Sequence, residues 1–220
     1  MESHIVKILK IENVTHDVKR FRVEKPKGYQ FRPGQATEVA INGREETVGK
    51  GPFTFTSLNE DAQLEFTIKI YNDGLTKELG KLKAGDELLI HDVWGAIVYQ
   101  GPGVFIAGGA GVTPFIAILR QLYKDGKIEG NRLIFSNKTE TDIILKEEFE
   151  KILGSQFINV ITKQKSEKYL SGRIDEEMIK NNINNFNQNF YICGPDEFVE
   201  NINGILKKLG VPDTKIVVEE

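Results

Sequence analysis

The sequence predicts a two-domain β plus α/β protein, and three observations carry that prediction. Short period-two hydrophobic runs fill the chain up to about Val98, the rhythm changes at Gly101-Pro102-Gly103, and buried strand, Gly-rich turn and amphipathic helix then alternate to the end. The expected architecture is an N-terminal six-stranded antiparallel β-barrel over residues 1–100, followed by a five-stranded parallel-sheet α/β domain over residues 101–220.

In the first half the strands are expected at Lys7 to Asn13, Phe21 to Glu24, Ala36 to Ile41, Phe53 to Ser57, Leu64 to Ile70 and Glu87 to His91. Closure into a barrel removes the exposed edges that six such strands would leave in a flat sheet. One helical turn, Thr76 to Lys81, carries Leu79 toward the core. In the second half, strands are expected at Val104 to Ala107, Arg132 to Ser136, Phe157 to Thr162, Asn189 to Cys193 and Lys215 to Glu219. Helices are expected at Pro114 to Tyr123, Ile143 to Leu153 and Pro195 to Leu209, the first with Thr113 as N-cap and the last stopped by Gly210. Asn181 to Asn189 reads as a loop.

Composition excludes several classes of function. The chain has 220 residues and a formal net charge of −3, without the basic excess of a nucleic-acid binder. Its one cysteine, Cys193, permits neither an internal disulfide nor a four-thiolate iron–sulfur cluster. His4, His16 and His91 are scattered and lack metal-ligand spacing, so no metal is expected. Met1 to Lys10 has no apolar signal core and no stretch approaches the ~20 apolar residues of a membrane span, which together suggest a cytoplasmic protein.

The most informative segment is Gly108-Gly109-Ala110-Gly111-Val112-Thr113-Pro114, between a buried strand and a capped helix. Glycines let a backbone approach a phosphate closely, and free amides at a helix start favour its negative charge; an ordinary tight crossover turn has the same composition. Cys193-Gly194-Pro195 ends a later strand at the same carboxyl edge, where open parallel sheets bind ligands. Pro52-Phe53-Thr54-Phe55-Thr56-Ser57 alternates aromatic and hydroxyl residues, placing the two phenylalanines on one side of a strand and the two threonines on the other.

In this order and spacing, these segments resemble the ferredoxin–NADP reductase superfamily, especially its compact flavodoxin-reductase-like members, over nearly the whole chain. The resemblance implies a flavin-binding barrel and an NAD(P)-binding second domain, with FAD rather than FMN as the flavin and NADPH or NADH as the donor. Pro52, Phe53, Thr54, Phe55, Thr56 and Ser57 match the flavin motif, with Phe53 against the flavin and the Thr54 hydroxyl near the hydride-accepting nitrogen. Ile68, Lys69, Ile70 and Tyr71 match the next flavin-lining strand, and Gly74, Leu75 and Thr76 the turn that holds the flavin phosphate. Gly109, Ala110, Gly111, Val112, Thr113 and Pro114 look like the nicotinamide-nucleotide loop, and Cys193, Gly194 and Pro195 like the element beside the nicotinamide. Thr54 and Cys193 are thereby the candidate catalytic residues. Gly51 departs from the pattern, standing where the family usually has an arginine.

The implied activity is electron transfer from NAD(P)H through FAD to a protein acceptor: flavodoxin, ferredoxin or an oxygenase component. Free-flavin or quinone reduction, or a non-catalytic nucleotide-sensing subunit, are the alternatives. Ser136, Asn137 and Lys138 present no acid to a ribose diol, so Lys138 with Arg173 is expected to favour the 2′-phosphate of NADPH. Lys19, Arg20, Arg22, Lys25, Lys27 and Arg32 form a basic stretch, read either as a docking face for an acidic carrier or as a solvated barrel face.

Overall fold

The computed structural model describes residues 3–95 and 97–219. By contact density the chain divides into two units: residues 3–95 with 113–121, and residues 97–112 with 122–219.

The first unit contains β1 (Ser3–Asn13), β2 (Val18–Glu24), β3 (Ala36–Ile41), the short helix α1 (Glu45–Val48), β4 (Lys50–Thr54), β5 (Gln63–Lys69), α2 (Gly74–Leu79) and β6 (Glu87–Trp94). Its strands form an antiparallel sheet in the order β4-β3-β6-β1-β2-β5. β1 serves both halves of this sheet. Its residues 3–7 pair with β6 and, past an irregularity at Ile8/Lys10, the rest pairs with β2. Between the end strands, an isolated bridge joins Phe55 to Phe66, and the Thr56 amide donates to the Glu65 carbonyl at 2.8 Å. Inside lie Val6, Ile8, Phe21, Val39, Phe55, Phe66, Leu88 and Ile90. Phe55 stacks on Phe31 with centroids 4.2 Å apart.

Several expected elements shift here: β1 starts at Ser3 rather than Lys7, β2 at Val18 rather than Phe21, and β6 runs past His91 to Trp94. The strand read at Phe53 to Ser57 ends at Thr54, because the chain turns there and Thr56 bonds across to β5. The helical turn read at Thr76 to Lys81 starts two residues earlier, at Gly74, whose φ of 59° suits glycine.

The second unit begins with β7 (Gly103–Gly108) and a 3-10 turn, Gly109–Val112; α3 (Thr113–Lys124) follows in the chain, its residues 113–121 belonging to the first unit. β8 (Arg132–Asn137), α4 (Lys146–Leu153), β9 (Phe157–Ile161), β10 (Leu170–Ser171), α5 (Glu176–Asn182), β11 (Asn189–Cys193), α6 (Asp196–Lys208) and β12 (Ile216–Val218) follow. The parallel sheet is ordered β10-β9-β8-β7-β11-β12. It has six strands where five are expected, because the two-residue β10 adds to the β9 edge. Residues 181 and 182, read as loop, close α5, which Asp175 caps by accepting from the Met178 amide at 2.8 Å. α4 starts at Lys146 rather than Ile143, since Leu145 takes a left-handed φ of 51°. Asp142 accepts from the Thr139 amide and hydroxyl, both at 2.8 Å, and so closes the short turn before α4.

Candidate functional site

In the first unit, the hydroxyls of the Thr54-Phe55-Thr56-Ser57 run have different fates. Thr56 is fully buried and donates to Glu65 Oε1 at 3.0 Å. The Ser57 hydroxyl accepts the Glu65 amide at 3.0 Å. The Thr54 hydroxyl makes no hydrogen bond with the described residues, and its oxygen is not among the sealed, unpartnered ones. Phe55 is wholly inside the barrel. The sequence-predicted run therefore divides: Phe55, Thr56 and Ser57 hold the barrel together, whereas Pro52, Phe53 and Thr54 keep exposed or partly exposed surface or an unpartnered group.

Glu65, 7% exposed, is the hub of this region. Arg120 Nη1 donates to Glu65 Oε1 at 2.7 Å and to the Thr56 carbonyl at 2.6 Å; Arg22 Nε lies 3.4 Å and Arg20 Nε 3.8 Å from Oε2. Burial alone would raise the carboxyl, but Arg120, then Arg20 and Thr56, hold it below its ordinary value. Nothing in the sequence spacing marked Glu65 or Arg120, because they are 55 residues apart.

Of the second predicted strand, Ile68 is buried and Lys69 pairs with Asp17 at 2.7 Å. The Ile70 amide donates to the Asp17 carbonyl at 2.7 Å, and exposed Tyr71 donates its amide to Thr76 Oγ1 at 3.1 Å. This last bond ties the strand end to the Gly74-Leu75-Thr76 turn, where Asp73 provides no side-chain cap to the helix amides. A Cβ on Gly51 would meet Leu75 Cδ2 at 3.3 Å, so Leu75 occupies the space beside this position. The nearby cations are engaged: Lys50 with Glu38, and Arg44 with Glu78 at 2.9 Å.

Most of the basic stretch is likewise committed. Lys19 donates to the Gly80 carbonyl at 2.6 Å, Arg20 and Arg22 share Glu12 and Glu65, and Lys25 bonds the Asn59 carbonyl. Lys27 and Arg32 are exposed.

In the second unit, parallel pairing brings the predicted residues to one carboxyl edge. Gly108 pairs with Ser136 and Ala107 with Cys193. The glycines of the turn have separate reasons. A Cβ on Gly111 would meet the Cys193 carbonyl oxygen at 2.4 Å, so packing requires glycine there, whereas one on Gly108 would meet the Phe198 ring at 3.1 Å, a tight contact that the ring would have to relieve. Gly109, at φ 53° with open space beside it, is the one whose conformation demands glycine. Ala110 and Thr113 are partly exposed, while Val112 and Pro114 are buried. At the end of β8, Asn137 is 5% exposed and its Nδ2 has no partner. Lys138 and Arg173 are exposed, and Arg173 lies 3.6 Å from Glu197. The Lys163 amide donates to the Lys138 carbonyl at 2.9 Å, bringing a third cation to this edge that the sequence reading did not single out.

Cys193 is buried, and its thiol donates to Glu219 Oε2 at 3.3 Å. Burial, and then the Glu219 carboxylate, push the thiol far above its usual range, so it stays neutral. Gly194 is half-buried and Pro195 exposed beside it.

The two units and the domain families they match define a flavin and nicotinamide nucleotide oxidoreductase. Residues 5–99 match the oxidoreductase FAD-binding domain and residues 105–203 the oxidoreductase NAD-binding domain, and the chain belongs to the ferredoxin reductase superfamily that combines them. Among curated relatives, it is 26% identical to the reductase component of propane 2-monooxygenase from Mycolicibacterium goodii, across 95% of this chain and 65% of that one. It is 27% identical to the ferredoxin–NAD(P)(+) reductase component of the naphthalene 1,2-dioxygenase/salicylate 5-hydroxylase systems of Ralstonia sp, across 95% and 66%. The chain thus spans about two thirds of the length of these relatives. A ferredoxin NADP+ reductase from Neisseria gonorrhoeae, solved with bound FAD and NADP, shares the fold at a TM-score of 0.86 and 22% identity, across 99% of this chain and 98% of that one. Among the described residues, no helix is long and apolar enough to cross a membrane.

Proposed function

We propose that this protein takes a hydride from NADPH onto FAD and passes the electrons to a separate protein carrier. The observation that carries the reading is the presence, in one chain, of an FAD-binding domain and an NAD-binding domain, the latter with the buried, unpartnered Asn137 Nδ2 at the end of β8. Bound flavin supplies the conversion between a two-electron donor and one-electron acceptors; the chain supplies binding and orientation.

Thr54 offers its hydroxyl to the hydride-accepting edge of the ring, with Pro52 and Phe53 flanking it. Ile68 to Tyr71 line the ring's edge, the Ile70 and Tyr71 amides being committed to Asp17 and Thr76, and the amides of Gly74 to Thr76 receive the phosphate. In the second unit, the Gly109 to Thr113 turn receives the nucleotide pyrophosphate, and Asn137 Nδ2 gains the acceptor it lacks. Cys193, kept neutral, presents a small apolar surface to the nicotinamide, with Gly194 and Pro195 beside it. Lys138, Lys163 and Arg173 favour a 2′-phosphate. The reductase components among the relatives support a protein acceptor, which would be a ferredoxin, a flavodoxin or an oxygenase component.

Anaerobic titration of the purified protein with NADPH and, separately, NADH tests the proposal. Bleaching of a bound-flavin band by about one equivalent of NADPH, at lower concentration than NADH, is expected. A colourless protein that takes up neither FAD nor FMN would overturn it in favour of a non-catalytic nucleotide-binding role.

A further inference from the structure

Side chains that face each other across antiparallel strands share one face of the sheet. Thr54 of β4 pairs with Ala36 of β3, and Ala36 pairs with Trp94 at the end of β6. The adjacent row is Phe53, Thr37 and Val93, of which Phe53 and Val93 pack against the barrel core. Thr54, Ala36 and Trp94 therefore point away from that core. Two interstrand steps separate the outer Cα atoms, about 10 Å.

This row starts at the unpartnered hydroxyl, crosses a methyl group and ends at an indole that is 40% exposed. Trp94 is the chain's single tryptophan, lies outside the barrel core cluster and makes no ring contact with the described residues. An indole facing outward in register with the flavin-facing threonine has the chemistry to cover a planar aromatic ring.

We propose that Trp94 forms one wall of the isoalloxazine site, lying against the ring whose hydride-accepting edge meets Thr54. The proposal rests on the flavin reading above and adds to it a residue that acts on the ring and not on the phosphate end. Riboflavin, which carries the ring without phosphate or adenylate, should therefore depend on Trp94, and stacking should quench its emission.

Deflavinated wild-type protein and Trp94→Leu are titrated with riboflavin and FAD, following dissociation constants and the emission of the bound flavin. The substitution is expected to weaken riboflavin and FAD by the same factor, about three- to tenfold, and to brighten the bound flavin. Unchanged riboflavin affinity and emission in a cooperatively folded variant would overturn the proposal. A second measurement needs no variant: N-bromosuccinimide oxidation of Trp94, read by mass spectrometry, should be slowed by saturating riboflavin. Equal oxidation with and without bound riboflavin would also overturn it. Wild-type protein that binds neither flavin would instead defeat the underlying flavin reading.

Discussion

Arg120 and Glu65 form a 2.7 Å ion pair in the interior of the first unit, and the same guanidinium nitrogen holds the carbonyl of Thr56. Removing Arg120 takes away the shortest of the bonds to Glu65 but leaves the buried carboxylate with Arg22 at 3.4 Å and Arg20 at 3.8 Å. Arg120→Met should cost about 1–3 kcal/mol, whereas Lys27→Ala, on the exposed surface, should change stability little. Chemical denaturation of the two variants checks the contrast.

The same carboxylate gives a pH dependence with a defined sign. Glu65 has its folded pKa below the unfolded value, so its contribution is complete above the unfolded pKa and is lost as pH falls through the folded one. Wild-type stability should decline from about pH 4.5 downward, and Glu65→Gln should flatten part of that decline while lowering stability at neutral pH. Melting temperatures from pH 3 to pH 7 test this; parallel curves for both proteins would contradict it.

Gly109 and Gly111 should respond differently to the same added methyl group. At Gly111 a Cβ would press on backbone, 2.4 Å from the Cys193 carbonyl oxygen, and neither element can yield as a side chain would. Gly111→Ala should therefore destabilise the second unit and abolish nucleotide binding. Gly109→Ala meets open space and carries only the conformational penalty of about 1 kcal/mol. Thermal unfolding and NADPH binding, measured on both, separate the cases.

Cys193 should resist alkylation in the native protein. Its thiol is buried and kept protonated beside Glu219, so thiolate is scarce at pH 8. Iodoacetamide should label it readily only after unfolding. Glu219→Gln removes the neighbouring charge and should raise the native labelling rate; an unchanged rate would leave burial as the whole cause.

Gly51 and Leu75 offer a test by double substitution. Gly51→Arg alone forces a side chain against Leu75, whose Cδ2 lies 3.3 Å from the ideal Cβ. Adding Leu75→Ala makes room for it. The double variant should bind FAD more tightly than Gly51→Arg alone or Leu75→Ala alone, through a charge-assisted contact with the pyrophosphate; affinity no higher than that of Leu75→Ala would show that the arginine gains nothing here.

Much of the fold was legible because strongly periodic, apolar strands declare themselves. β3 and β11 occupy the expected bounds, Ala36–Ile41 and Asn189–Cys193. α5 escaped notice because seven residues offer too few turns to establish a period, and β10 because two residues have no pattern. In the sites, residue type did not reveal which hydroxyls remain available. Thr54 and Thr56 alternate identically in sequence, yet the turn after β4 sends one outward and the other onto Glu65. Lys163 and Trp94 depend on strand pairing, which the one-dimensional pattern does not contain.

The position of β1 bears on how the chain emerges from the ribosome. Its first five described residues find their partners on β6, more than 80 positions later for Ser3 and His91. Synthesis must therefore pass the end of β6 before the amino-terminal strand can complete its pairing. Likewise β7 lies between β8 and β11, so one of its edges waits until residue 193 has been made. Each sheet keeps a strand unfinished for roughly 80 residues of synthesis, a high-contact-order arrangement that predicts slow folding and a nascent chain in need of protection at those edges.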